Sequence, residues 1–118
     1  MASRRKEHQE DAKLRVLQII NQNHQITSRK IAMMVGISNG SAHYLITSLI
    51  DKGIVKLTHL GESSQKIKYS YLLTPKGIRE KSLLSSKFIA RKKKEYKALK
   101  EEINNLEKCI GIDLSDDE

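Results

Sequence analysis

The chain has 118 residues and a mass of 13.5 kDa, which leaves room for one ordinary domain and none for a second large core. Apolar residues make up 38%, but one Phe, four Tyr and no Trp force the interior onto Leu, Ile, Val and Met, a composition that argues against a large enzyme fold. Lys and Arg total 22 against 14 Asp and Glu, and the resulting charge of +8 favours a polyanionic partner over an acidic or neutral one.

Residues 1–9 read as a polar N-terminal arm. From 10 to 23, Leu14, Val16, Leu17, Ile19 and Ile20 recur at helical spacing and predict a first helix. Thr27 can cap a second, short helix, with Ile26 and Ile31 at the two positions of a hydrophobic staple. Gly36 suits the left-handed residue that ends it. The same grammar repeats at once: Ser38 is the next cap, and Ala42, Leu45, Ile46, Leu49 and Ile50 form the inward stripe of a third helix ending at Gly53.

After Gly53 the period falls to two. Val55, Leu57 and His59 alternate with Lys56, Thr58 and Leu60, Ile67, Tyr69, Tyr71 and Leu73 alternate with Lys68, Ser70 and Leu72, and the polar segment 61–66 between them predicts an antiparallel hairpin with an exposed tip. Thr74 and Pro75 then restart a helix, with Leu73 and Ile78 as a third staple. That helix can run from Pro75 to about Cys109, on the order of 50 Å, and residues 75–109 carry a net +6. Residues 111–118 form an acidic tail.

Two helices joined by the Gly-containing turn 35–38, the second with a polar outer face, constitute a helix-turn-helix. The expected fold is mainly α with a small β-hairpin: a winged helix-turn-helix over residues 10–74, followed by a long C-terminal helix over 75–110. The expected partner is double-stranded DNA. Ser38, Asn39, Gly40, Ser41, His43, Tyr44 and Thr47 stand where base edges and phosphates would meet the third helix, Arg29 and Lys30 lie near the backbone, and Lys66 and Lys68 flank the wing tip. Caps, staples and glycines at these places would also serve any small helical domain; their order, combined with the charge, is what points to DNA.

The segments Ile37-Ser38-Asn39-Gly40, Leu49-Ile50-Asp51-Lys52-Gly53 and Tyr71-Leu72-Leu73-Thr74-Pro75-Lys76-Gly77-Ile78 resemble the winged helix-turn-helix regulators of the MarR type, and among them the small subgroup associated with bacterial exopolysaccharide gene clusters. The resemblance covers roughly residues 10–108. It implies a bacterial transcriptional regulator whose residues 39–47 read the major groove and whose residues 61–66 form the wing tip. The chain departs from larger MarR proteins in lacking an Asp-x-Arg pair in the wing and a pocket-forming helical layer, and no small-molecule effector is assigned.

In the long helix Ile89, Tyr96, Ile103 and Ile110 share one heptad position, and Lys92, Leu99 and Leu106 the other. This seam predicts a homodimer through Ile89, Tyr96, Leu99, Ile103 and Leu106; the competing expectation folds the helix back on its own domain through Leu83, Leu84 and Phe88. His8, His24, His43 and His59 lack metal-ligand spacing, Cys109 has no second cysteine, and no phosphate-binding glycine loop is present. No metal, no cofactor and no catalytic group is expected. Residues 31–37, the longest apolar stretch, fall far short of the roughly 18 needed to span a bilayer, and MASRRKEHQEDAK lacks the apolar core of a signal peptide, so the cytoplasm is expected. A protein-docking module built on the same elements is the competing function; it would show no salt-sensitive binding to duplexes.

Overall fold

The structure, a computed structural model, describes the backbone of residues 2–63 and 66–111 and the side chains of residues 4–58 and 70–111. The element order is α1 (Ala2–Gln22), α2 (Ser28–Val35), α3 (Asn39–Asp51), β1 (Val55–Ser63), β2 (Lys66–Leu73) and α4 (Pro75–Cys109). Two compact units divide the chain, residues 1–85 and 86–118. The first therefore takes in residues 75–85, the opening turns of α4.

The first unit is a small apolar core built by α1, α2, α3 and the start of β1. Val16, Leu17, Ile20, Ile31, Leu49 and Val55 are its largest fully buried side chains. The stripe of α3 narrows to Ala42, Ile46 and Leu49, because Leu45 and Ile50, expected among the inward residues, are only half-buried. α1 begins at Ala2 rather than at residue 10, so the segment 2–9 is helical. Ala, Arg, Lys, Glu and Gln are good helix formers, and this turn needs no apolar stripe to propagate from the buried part of the helix.

Capping sets the helix boundaries. Thr27 Oγ1 accepts the Lys30 N–H at 3.1 Å, and Ile26 and Ile31 are both buried beside that cap. Gly36 closes α2 at φ 83°, donating to Ala32 O. Ser38 Oγ accepts the Ser41 N–H at 3.0 Å and opens α3. The third staple does not close in the same way, since Ile78 is exposed while Leu73 is half-buried.

β1 and β2 pair antiparallel, with Val55 opposite Leu73, Leu57 opposite Tyr71 and His59 opposite Tyr69. Between His59 and Glu62 the register shifts by one residue: two residues of β1, Leu60 and Gly61, face one of β2, which is a bulge that bends the hairpin. The strands also extend further than expected, to Ser63 and from Lys66, so most of 61–66 is strand and the tip itself, residues 64 and 65, lies outside the described residues. At its base β2 is tied to the α1–α2 connection by Tyr71 N–H donating to His24 O at 2.9 Å. Burial there pushes the Tyr71 phenol above its usual pKa.

The end of α3 and the start of α4 clasp each other. Thr74 Oγ1 donates to Gly53 O at 2.6 Å and accepts the Gly77 N–H at 3.0 Å, Thr74 N–H donates to Ile54 O at 3.1 Å, and Lys76 Nζ donates to Lys52 O at 2.9 Å. Gly77 is buried against the Ile54 carbonyl, with no space for a Cβ. An ion pair of 2.8 Å, Lys13 with Glu80, joins α1 to the same opening turns of α4.

In the second unit α4 continues as one helix to Cys109. Ile89, Tyr96, Leu99, Ile103, Leu106 and Ile110 are all about half exposed or more, and the side of the helix they occupy is uncovered. Of the side chains expected to fold it back, Leu84 is buried within the first unit, Leu83 is exposed, and Phe88 is half-buried under Arg91 and Lys92, whose charged groups lie 5.2 and 5.3 Å from its ring centre. Residues 112–118, which hold all but the first residue of the expected acidic tail, lie outside the described residues.

Candidate nucleic-acid interface

α3 presents one continuous polar surface. With Ala42, Ile46 and Leu49 fixed in the core, the helical repeat places Gly40, Tyr44, Thr47 and Asp51 along the outward line, with Asn39 and His43 beside it. All six are exposed, and Tyr44, at 78%, is the most open large hydrophobic side chain among the described residues of the first unit. Arg29 and Lys30 are exposed in the first turn of α2, and Arg15 Nη2 donates to Met34 O at 3.2 Å at the other end of that helix.

The first turn of α3 is chemically distinct from the rest. Ser38 Oγ both accepts from Ser41 N–H and donates to Ser41 Oγ at 2.9 Å, so these two expected contact residues are engaged with each other as the cap. Nothing lies within 4 Å of where a Cβ on Gly40 would stand. The glycine is therefore not required by crowding inside the domain, and it leaves the helix surface low where another molecule could approach the backbone. Asp51 closes the outward line with a negative charge at the far end, as helical periodicity from Tyr44 and Thr47 requires. A polyanion lying along this line meets hydrogen-bonding groups over the first two turns and repulsion at the last, which favours entry of the N-terminal half of α3.

Between α1 and α3 runs an open groove of about 770 Å³, with Lys6 and Lys13 on one wall, Tyr44 and Ser48 on the other and Lys52 at its end. The half-buried Leu45 lines it, which explains why that residue left the core stripe. No local sequence signal marks this groove, because its walls are more than twenty residues apart in the chain. Lys66 and Lys68 lie on β2 of the wing, and their side chains are outside the described residues. Among the described residues no three of the His, Cys, Asp and Glu side chains converge so as to hold a metal ion, and no helix is long and apolar enough to cross a membrane.

Residues 9–56 match the family model described as winged helix-turn-helix DNA-binding. Among solved structures, the chain is similar to FabT of Streptococcus pneumoniae in complex with DNA, at 17% identity and TM-score 0.53, over 84% of this chain and 73% of that one. It is similar to a MepR mutant of Staphylococcus aureus bound to an oligodeoxyribonucleotide, at 15% identity and TM-score 0.59, over 92% and 87% of the two chains. ZitR of Lactococcus lactis, a zinc-responsive MarR family member, is matched at 18% identity and TM-score 0.59, over 88% and 70%. No curated protein matches the chain by sequence. At these identities the likeness is one of fold, and the fold is the winged helix with a long C-terminal helix.

Proposed function

We propose that the protein is a sequence-specific double-stranded DNA-binding transcriptional regulator that acts as a homodimer, with α3 in the major groove and the wing on the backbone or in the minor groove. The observation that carries this reading is the capped, uncovered N-terminal half of α3, where Asn39, Gly40, His43, Tyr44 and Thr47 stand exposed, with Arg29 and Lys30 exposed on α2. The family match over 9–56 and the DNA-bound structural neighbours support it. Control of exopolysaccharide genes is the finer reading; it rests on the three segments 37–40, 49–53 and 71–78, and it sets the protein in the bacterial cytoplasm. Two copies joined through Ile89, Tyr96, Leu99, Ile103 and Leu106 would present two recognition helices to a two-fold site.

Base edges and phosphates respond differently to mutation, and that difference is the test. A site is first selected from random duplexes. Ala at Asn39, His43, Tyr44 or Thr47 is expected to cost about 1–3 kcal/mol on that site while barely changing affinity for a scrambled duplex. Ala at Arg29, Lys30, Lys66 or Lys68 is expected to weaken both duplexes alike and to lower the slope of log affinity against log salt by about 0.9 per phosphate contact. Equal losses on both duplexes for the α3 variants, or no binding by the parent, would remove the assignment and favour the protein-docking alternative.

A further inference from the structure

The basic run at Arg91–Lys94 divides in two. Arg91 and Lys92 are engaged: both reach Glu95, at 3.6 and 3.2 Å, and both lie against the Phe88 ring. Lys93, Lys94, Lys97 and Lys100 are exposed and form no ion pair among the described residues. On the helix they make one cluster, with Lys97 adjacent to Lys93 at i−4, to Lys94 at i−3 and to Lys100 at i+3. Glu101, at i+4, is the one acid beside it, while Glu95 and Glu102 lie on the opposite flank of the apolar seam. A face that is merely solvated gains from interleaving Glu with Lys, and like charges at these spacings oppose the helix. Here the lysines are gathered instead.

We infer that this lysine face of α4 is a second, sequence-independent contact for the phosphate backbone of a DNA duplex, separate from the surface of α3. The lysines are point charges on flexible stems, suited to phosphates without fixed geometry. Along the axis, Lys93 to Lys97 is about 6 Å and Lys97 to Lys100 about 4.5 Å, so the cluster spans about 10 Å, a length over which one strand of a duplex carries about three backbone charges. Tyr96, at i+3 from Lys93 and i−4 from Lys100, is the one aromatic ring beside them; it belongs to the apolar seam, where a second copy would cover it, which disfavours a single strand held by base stacking. Lys94 and Lys97 lie on the side of the helix away from the apolar seam, so a partner copy on that seam leaves them free for this contact. The choice of DNA as the polyanion rests on the function proposed above; the site itself rests on the helix geometry.

The test uses the full chain and the double variant Lys94→Gln with Lys97→Gln, on the selected duplex and on a scrambled one. The expected result is an equal loss on both, of about tenfold or more near 100 mM salt, and a salt slope lower by about 1.8 for two phosphate contacts. Mass by light scattering should be unchanged, and Lys94→Arg with Lys97→Arg should retain the parent affinity and slope. Unchanged binding by the Gln variant, in a parent that still discriminates the selected site through α3, overturns the lysine face and leaves the function standing. A changed mass assigns the face to self-association, and equal affinity of the parent for polyglutamate assigns it to an acidic polypeptide; either result overturns the proposal. No duplex binding by the parent overturns both.

Discussion

Gly77 and Gly40 both sit in the first turn of a helix, and the structure separates them by what surrounds each. A methyl group at Gly77 would run into the backbone carbonyl of Ile54, part of the clasp between α3 and α4, and backbone cannot move aside as a flexible side chain can. Gly77→Ala is expected to destabilise the domain by about 1–3 kcal/mol, as overpacking does, lowering the melting temperature by several degrees. At Gly40 the same change meets open space and replaces a poor helix former, so it should leave stability equal or raise it by up to about 1 kcal/mol. If Gly40 also marks where DNA approaches the helix, Gly40→Ala should weaken binding to the selected duplex while the protein becomes no less stable. Thermal unfolding and a binding titration on the two variants check the pair. A Gly77 variant that melts with the parent would mean that the clasp is looser than its geometry.

At the scale of elements, α3 depends on Leu49 more than on Leu45. Leu49 is 1% exposed and contacts the core, whereas Leu45 lines the α1–α3 groove. Leu49→Ala is therefore expected to cost about 2–5 kcal/mol, a large part of the stability of a domain this size, and Leu45→Ala distinctly less. Equal shifts in unfolding midpoint would contradict this packing. What the sequence revealed and what it hid follow the same physical line. Thr27, Gly36 and Ser38 were legible as helix ends because a cap acts over three or four residues and needs no knowledge of the fold. The alternation of Val55, Leu57, Tyr71 and Leu73 announced the hairpin for a similar reason. The clasp was not legible as such. Lys52 and Gly53 fall in the family-like segment 49–53 and Thr74, Lys76 and Gly77 in 71–78, while Ile54 lies in neither, and only the fold shows that the two stretches bond to each other across some twenty residues. The start of α1 was not legible, because periodicity marks the buried part of a helix and is silent on turns that stay in water. On the polar face of α3, exposure was legible from the apolar stripe, but the occupation of Ser38 by Ser41 and the groove beside Tyr44 required three dimensions.

For the whole molecule the deciding feature is the uncovered side of α4. Ile89, Tyr96, Leu99, Ile103 and Leu106 range from 48% to 66% exposed and recur at seam spacing, so the helix carries an apolar strip that nothing in the described chain covers. Soluble proteins rarely leave such a strip in water, and a long helix whose apolar side is uncovered is marginal without a partner. A second copy supplies the complementary seam. Lys92 interrupts it, but its ammonium group turns to Glu95 and lies against Phe88, which lessens the charge placed on the seam. The parent is accordingly expected to show by light scattering a mass about twice 13.5 kDa at tens of micromolar. Leu99→Glu with Ile103→Glu should return it to a single chain. Because the core of Leu17, Ile20, Ile31 and Leu49 lies wholly within residues 1–85, that variant should keep its folded helix-turn-helix and lose helical signal from α4 alone. Its affinity for a two-fold selected site should drop more than its affinity for a single half-site, since two linked recognition helices gain from effective concentration and one does not. A monomeric parent, or a double variant of unchanged mass, would show that the strip on α4 is covered by something other than a second copy.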